Sequence, residues 1–289
     1  MPTITVENLK KYYGKVKAVD DVSFEVSEGE IFGFLGPNGA GKTTVIRCLM
    51  DFLRPDAGEI TILGMDAQRN APELKRDIGF LSGEVSLYNN WTGQEHIDLV
   101  EKMRGQTDYD LNLISEFNFE PNKKVSNMSS GNKQKLGLIL ALMHKPKILI
   151  LDEPTTGLDP LLQNAFYEII RTEAGEGKTV FMSSHNLAEV ERVCDRVCII
   201  KGGKIVAIES IKELKRKKIY TVCAYFDGPV PKDEFHTDGV TVTKKFEDGM
   251  VMNVKGEIDP VLDKLSKYKI TDIEIIHASL EEIFLEYYK

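Results

Sequence analysis

Apolar and polar residues alternate along the first ~25 positions, in TITVENL (Thr3–Leu9) and again in VDDVSFEV (Val19–Val26), with turn chemistry at Tyr13-Gly14 between them. A period of two sends successive side chains to opposite faces, so this stretch predicts paired antiparallel strands. The run IFGFL (Ile31–Leu35) is instead continuously apolar, as a strand buried on both faces must be. It ends in a glycine-rich turn followed by the helical stretch TTVIRCLMDFL (Thr43–Leu53). From about Asn70 to His144 charged and apolar residues recur at helical spacing, as in GQEHIDLVEKMR and YDLNLISEFN, which suggests a helical insertion. Short apolar runs then return at Ile148–Leu151, Thr179–Met182 and Val197–Ile200, separated by the helical LLQNAFYEIIRTEA and NLAEVERVCD. Strands that alternate with helices imply parallel pairing through crossover connections, and hence a sheet covered on both faces.

After Lys204-Ile205-Val206 and the basic helical stretch IKELKRKK the rhythm changes. IYTVCAYF reads as a strand, VTVTKKFEDGMVMNVKG as a turn-bearing pair, DPVLDKLSKY as a helix, ITDIEII as a strand and SLEEIFLEYY as a closing amphipathic helix. The organisation expected is an α/β domain over 1–211, its helical subdomain at about 84–144, and a small α+β domain over 212–289. Neither an internal repeat nor a low-complexity tract is visible.

Composition narrows this picture. With 42% hydrophobic and 28% charged residues in 289, the chain has the balance of an ordinary globular protein. A net charge of −8 repels the nucleic-acid backbone, so no nucleic-acid partner is expected. Cys48, Cys194, Cys198 and Cys223 form no CxxC pair and are too sparse for a disulfide framework. They read as structural thiols in a reducing compartment. The N-terminus, MPTITVENLK, lacks the apolar core of a secretion signal, and the longest apolar runs, such as LGLILALM, fall short of the ~20 residues of a membrane span. A membrane, if involved, is expected to be crossed by another chain.

Two motifs carry the chemistry. Gly36-Pro37-Asn38-Gly39-Ala40-Gly41-Lys42-Thr43 fits G-x-x-x-x-G-K-S/T, follows a buried strand and opens a helix. That context points backbone N–H groups and the positive end of a helix dipole at a polyphosphate. Lys42 would neutralise the β/γ-phosphates, Thr43 would offer its hydroxyl to Mg²⁺, and Thr44 could bond the α-phosphate. Downstream, KILIL ends in Asp152-Glu153, where Asp152 can hold Mg²⁺ through water and Glu153 can orient or deprotonate an attacking water. A strand ending in acids is uninformative alone. At the carboxyl edge of a sheet that already carries a phosphate loop, it marks where a ligand binds.

The segments around these motifs, VSNMSSGNKQKLGLILAL, TTGLDP and SSHN, make an ordered series that resembles the ABC (ATP-binding cassette) ATPases over residues ~3–210. The resemblance implies an ATP-binding, ATP-hydrolysing subunit that powers a separate transmembrane permease. ATP and Mg²⁺ would be its cofactors, and a second ATP-binding subunit, identical or not, its partner. It also implies a cytoplasmic location, peripheral on the inner face of the cell membrane. Met128-Ser129-Ser130-Gly131-Asn132 stands where the family has its signature, so Ser129, Ser130 and Gly131 would meet the γ-phosphate held by the opposite subunit. By the same resemblance Gly157-Leu158-Asp159 is the loop that links the two sites, His185 is the switch histidine, and Tyr13 stacks on adenine, with the adjacent Tyr12 as alternative. The C-terminal ~75 residues resemble the accessory tail of drug- and bacitracin-type exporters.

Departures from the family are specific. Its usual glutamine after the strand Ile78–Leu81 is replaced by Gly83, leaving Glu84 to reach the metal or water, while Ser130 and Asn132 replace the usual Gly and Gln of the signature. Modest turnover is expected. A permease would dock along Gly83 to Trp91, with Trp91 either its anchor or a core residue. The alternative class, a soluble ABC-type ATPase acting on ribosomes or DNA, would need a fused second cassette, coiled coils or zinc modules, and this chain has none of them. A nucleotide-binding regulator that does not hydrolyse conflicts with the presence of both Glu153 and His185.

Overall fold

The computed structural model describes residues 2–105, 108–216, 219–228, 235 and 238–277. The chain forms two compact units, Met1–Glu209 and Ser210–Lys289. In the first, β1 (Pro2–Tyr13) and β2 (Val16–Ser27) form an antiparallel hairpin across Gly14-Lys15. Val22, Phe24 and Val26 point inward while Asp21, Ser23 and Glu25 face out, as the alternation predicts. β3 (Ile31–Leu35) leads through a loop into α1 (Lys42–Leu49), and β4 (Ala57–Ile62) and β5 (Met65–Asp66) complete a sheet of order β2-β1-β4-β5. The helical stretch is shorter than its apolar spacing suggests, because Asp51 takes a left-handed φ of 49° just after the helix.

Next come α2 (Ala71–Asp77), β6 (Ile78–Leu81), α3 (Gly93–Arg104), α4 (Asn112–Glu116) and α5 (Ser130–Leu142). The helical region is therefore broken: residues 82–92 are not helical, and of YDLNLISEFN only Asn112–Glu116 winds. α3 starts at a capping box in which Thr92 Oγ1 accepts from the Glu95 amide and Glu95 Oε2 accepts from the Thr92 amide. β7 (Ile148–Asp152), α6 (Pro160–Gly175), β8 (Thr179–Ser184), α7 (Leu187–Val193), β9 (Arg196–Lys201) and β10 (Lys204–Ser210) follow. They build a six-stranded sheet of order β10-β9-β3-β8-β7-β6. Within it β3 runs parallel to β8 and β9, and β7 to β6 and β8.

Every residue of β3, β7 and β8 is buried, which explains their unbroken apolar runs. The antiparallel sheet packs on this one through aromatic rings: Phe24 lies 5.6 Å from Phe32, 5.5 Å from Phe34 and 5.7 Å from Phe181 between centroids. Cys48, Cys194 and Cys198 are buried thiols, as their apolar surroundings in the sequence suggest, while Cys223 is half-buried.

His144, just beyond α5, donates through Nε2 to the Ile78 carbonyl at 3.3 Å and buries Nδ1, which has no close hydrogen-bond partner among the described residues. Burial, reinforced by the Arg104 charge, holds its pKa down at about 4. The unfolded chain, with an ordinary imidazole near 6.5, binds more protons than the folded one between these values. Stability is then complete above about pH 6.5 and declines as pH falls toward 4. Urea unfolding at pH 7 and pH 5 is expected to show a loss on the order of 1–2 kcal/mol that His144→Gln largely removes. Equal losses in both proteins would take His144 out of the account.

The second unit holds α8 (Ile211–Arg216), β11 (Ile219–Phe226), β12 (Val240–Lys245), β13 (Gly249–Lys255), α9 (Asp259–Leu265) and β14 (Ile270–His277). Its antiparallel sheet, of order β12-β13-β11-β14, shares a core of Val222, Ala224, Phe226, Phe235, Met250, Met252, Val254, Val261 and Leu265. The closing segment SLEEIFLEYY lies outside the described residues. Among the described residues no helix is long and apolar enough to cross a membrane.

Candidate functional site

Four parallel strands, β3, β8, β7 and β6, end at one edge of the sheet, so the loops that follow them meet there. The loop after β3 is pinned from both sides. The Gly36 amide donates to the Ser184 carbonyl at 3.2 Å and the Gly203 amide to the Ala40 carbonyl at 3.0 Å, which buries Ala40 in the wall of the loop. Gly41 sits at φ 110°, and a Cβ there would lie 2.3 Å from the Ala18 carbonyl oxygen, so no other residue fits without moving backbone. Lys42 opens α1 with its ammonium buried, donating to the carbonyls of Gly36 at 2.7 Å and Pro37 at 3.3 Å. The same ammonium is 3.2 Å from Glu153 Oε1.

At the end of β7 the buried Asp152 accepts from Thr43 Oγ1 at 2.9 Å and from Ser183 Oγ at 2.5 Å. Glu153 follows at φ 50°, a left-handed conformation that costs a side-chain-bearing residue roughly 1–3 kcal/mol. It is held there by its own amide, which donates to Ser183 Oγ at 3.1 Å, and by Gln134 Nε2 on α5, which donates to the Pro154 carbonyl at 2.9 Å. The turn aims the carboxylate at the phosphate loop on one side and at His185 on the other, with His185 Nδ1 2.5 Å from Glu153 Oε2.

A cleft of about 500 Å³ collects Pro37, Asn38, Gly39, Gly41, Lys42, Thr43, Thr44, Glu84, Asp152, Glu153 and His185. Sequence positions more than a hundred residues apart therefore share one wall. A polyphosphate fits this lining, with a fixed cation, a hydroxyl and turn amides on one side and carboxylates on the other. Thr43 Oγ1 and Asp152 are hard oxygen donors, and among the described residues no group of three His, Cys, Asp or Glu gathers as a metal centre. Such a pair suits Mg²⁺, which completes its shell with substrate oxygens and water. Gly83, where the resemblance implies glutamine, also lines the cleft; a Cβ there would lie 3.3 Å from Asp152 Oδ2.

The other expected residues lie elsewhere. Ser129 caps α5 by accepting the Asn132 amide at 3.3 Å, and it and Ser130 are exposed. A Cβ on Gly131 would lie 2.7 Å from the Gly157 carbonyl oxygen, so the signature turn packs directly on the loop that leads to Asp159. Asp159 caps α6, accepting from the amides of Leu161 and Leu162 at 3.0 Å each. Of the two tyrosines, Tyr12 donates its hydroxyl to Asp20 at 2.6 Å, while Tyr13 projects with 48% of its surface exposed. Trp91 is half-buried, its ring 4.7 Å from the exposed Tyr88 and 5.5 Å from His96. Sequence reasoning missed Ala18 and Thr156 in the cleft wall, and Gln134 and Ser183 behind the acids. Thr156, Gln134 and Ser183 lie inside segments already recognised, without a role assigned to them, whereas nothing in the chain around Ala18 signals a role.

The chain is similar to known proteins over most of its length. The ABC transporter family model matches residues 19–156. An uncharacterized ABC transporter ATP-binding protein of Methanocaldococcus jannaschii is 37% identical over 272 residues, covering 89% of this chain and 97% of its own length. The bacitracin transport ATP-binding protein of Bacillus licheniformis is 39% identical over 221 residues, 74% of this chain and 72% of its own. The solved structure of an ATP binding subunit of an ABC transporter matches with a TM-score of 0.69 at 29% identity, over 74% of this chain and 92% of that one.

Proposed function

Because this chain belongs to the ABC transporter ATP-binding protein family, whose members hydrolyse ATP to power transport, we propose that it energises an exporter, paired with a second such subunit on the inner face of a membrane permease. The observation that carries this reading is the division of the recognised motifs between two surfaces. Lys42, Thr43, Asp152, Glu153 and His185 share one cleft, while Ser129, Ser130 and Gly131 do not line it. A nucleotide in that cleft reaches a signature only if a second subunit brings one.

In this reading Lys42 holds the β/γ-phosphates, the loop amides and Thr44 bind the remaining phosphate oxygens, and Tyr13 offers its exposed ring to adenine. Thr43 and Asp152, with Glu84 beside them, would hold Mg²⁺, which when bound screens charge on the β/γ oxygens. Glu153 takes the proton of the attacking water, and His185, bonded to it, is placed to contact the γ-phosphate. Ser129, Ser130 and the Gly131 amide, at the start of α5, serve the partner's nucleotide, and the loop through Asp159 connects the two sites. Gly83 to Trp91 is the proposed docking strip, where Tyr88 and Trp91 supply aromatic surface.

Export is supported by the likeness to the bacitracin transport subunit and by the resemblance of the C-terminal ~75 residues to exporter tails. Affinity capture of Glu153→Gln from detergent-solubilised native membranes with MgATP is expected to bring down a multi-span membrane protein in stoichiometric amount. Recovery of ribosomal or DNA-associated proteins in its place would turn the reading toward a soluble motor.

A further inference from the structure

Glu189 lies on α7, four residues beyond His185, and is only 4% exposed. Its two carboxylate oxygens are used on two different loops. Oε2 accepts from Ser184 Oγ at 2.5 Å and Oε1 accepts from Thr155 Oγ1 at 2.8 Å. Ser184 in turn accepts the Asn186 amide at 2.9 Å, so the turn that presents His185 is held at both ends. Thr155 belongs to the left-handed turn that presents Glu153. These two turns meet again only 2.5 Å apart, at the His185–Glu153 pair.

A carboxylate buried among hydroxyls is a poor stabilising device, because it loses hydration without gaining a cation. Burial indeed raises the pKa of Glu189, against the opposing pull of the Ser184 and Thr155 hydroxyls. What the residue supplies is a fixed distance. Its span from hydroxyl to hydroxyl sets how far the His185 turn stands from the Glu153 turn, and a shift of about 1 Å in such a pair can cost on the order of a hundredfold in rate.

We infer that Glu189 is a positioning residue for hydrolysis, a clasp through Ser184 and Thr155 that holds His185 and Glu153 in register. The inference rests on the ATPase reading of the cleft and adds a residue that no motif of the sequence contains. Steady-state ATPase kinetics on the full chain test it. Glu189→Gln replaces one acceptor oxygen by a donor, and Thr155→Val removes one of the two hydroxyls. Each is expected to lower kcat about tenfold or more while KM for ATP stays within about twofold, since neither residue lines the nucleotide cleft. Thr155→Ser restores a hydroxyl and should recover most of what Thr155→Val loses.

The decisive comparison is a double-mutant cycle. Added to Glu153→Gln, Glu189→Gln should change the residual turnover by less than about twofold, because the group that the clasp positions is already gone. A full additional loss in that background, or a rise in KM parallel to the fall in kcat, would mean that Glu189 merely supports the fold and would overturn the proposal. Turnover that falls with Glu153→Gln and is indifferent to Glu189→Gln and Thr155→Val removes the clasp alone. Turnover indifferent to Glu153→Gln removes the ATPase assignment of the cleft as well.

Discussion

Glu153→Gln is expected to retain ATP and to reduce turnover by at least about a hundredfold, the lower end of what a positioned general base contributes. The geometry gives the reason. Glu153 stands in a strained left-handed turn that a strand end does not adopt without support, and that turn sets its two oxygens between Lys42 at 3.2 Å and His185 at 2.5 Å. Glutamine preserves the size of the side chain, but it has one acceptor oxygen in place of two and cannot accept the proton of water. The bound nucleotide then persists, and with it the closed pair of subunits. Light scattering should report a dimer of Glu153→Gln with MgATP and a monomer with MgADP. Equal dimerisation with either nucleotide would refute the sandwich mechanism, whatever the turnover.

Lys42→Ala is expected to weaken ATP binding by about a hundredfold or more, measured by isothermal titration calorimetry. Lys42 is 6% exposed, and its ammonium is fixed by two carbonyls of its own loop and by Glu153. Truncating one member of a buried, hydrogen-bonded charge pair costs about 2–5 kcal/mol, which is roughly 30- to 5,000-fold in Kd. The loss has two parts here: the phosphates lose their cation, and Glu153 is left facing them without its neutralising partner. A circular-dichroism melt separates this from unfolding. If a folded Lys42→Ala chain bound ATP within a few fold of the wild type, the phosphate loop would have to be placed elsewhere.

At Gly83 and Glu84 the sequence differs from the motif series it resembles. Glycine at 83 carries no side chain toward Asp152, and Glu84 lines the same cleft. Ser130 and Asn132 are the corresponding differences in the signature-like segment, and Gly131 there approaches the Gly157 carbonyl closely. Gly83 and Glu84 line the cleft, and Ser130 lies exposed at the start of α5.

Local signals were legible in the chain. The G-x-x-x-x-G-K-T loop between an apolar strand and a helix, the acids at the end of β7 and the Ser129 cap of α5 each depend on a few neighbouring residues. Spacing alone therefore sets their geometry. The strands β3, β7 and β8 were readable for the same reason, because burial on both faces leaves only apolar choices at every position. Periodicity failed where it was ambiguous, in the helical stretch cut short at Leu49 by the left-handed Asp51 and in the broken region between α2 and α5.

The sequence by itself determined the class of ligand and the order of the elements, because both follow from residue types at short spacing. Only the tertiary structure decided which distant residues face one another. Tyr12 and Tyr13 are equivalent along the chain until Tyr12 meets Asp20 across the hairpin. Gln134 reaches the Pro154 carbonyl, and Glu189 joins Ser184 to Thr155, through contacts that span 20 and 34 residues. No local pattern encodes such distances. They are fixed by the order in which parallel strands stack in the sheet, and that order is what brings a lysine, two acids and a histidine to a single edge.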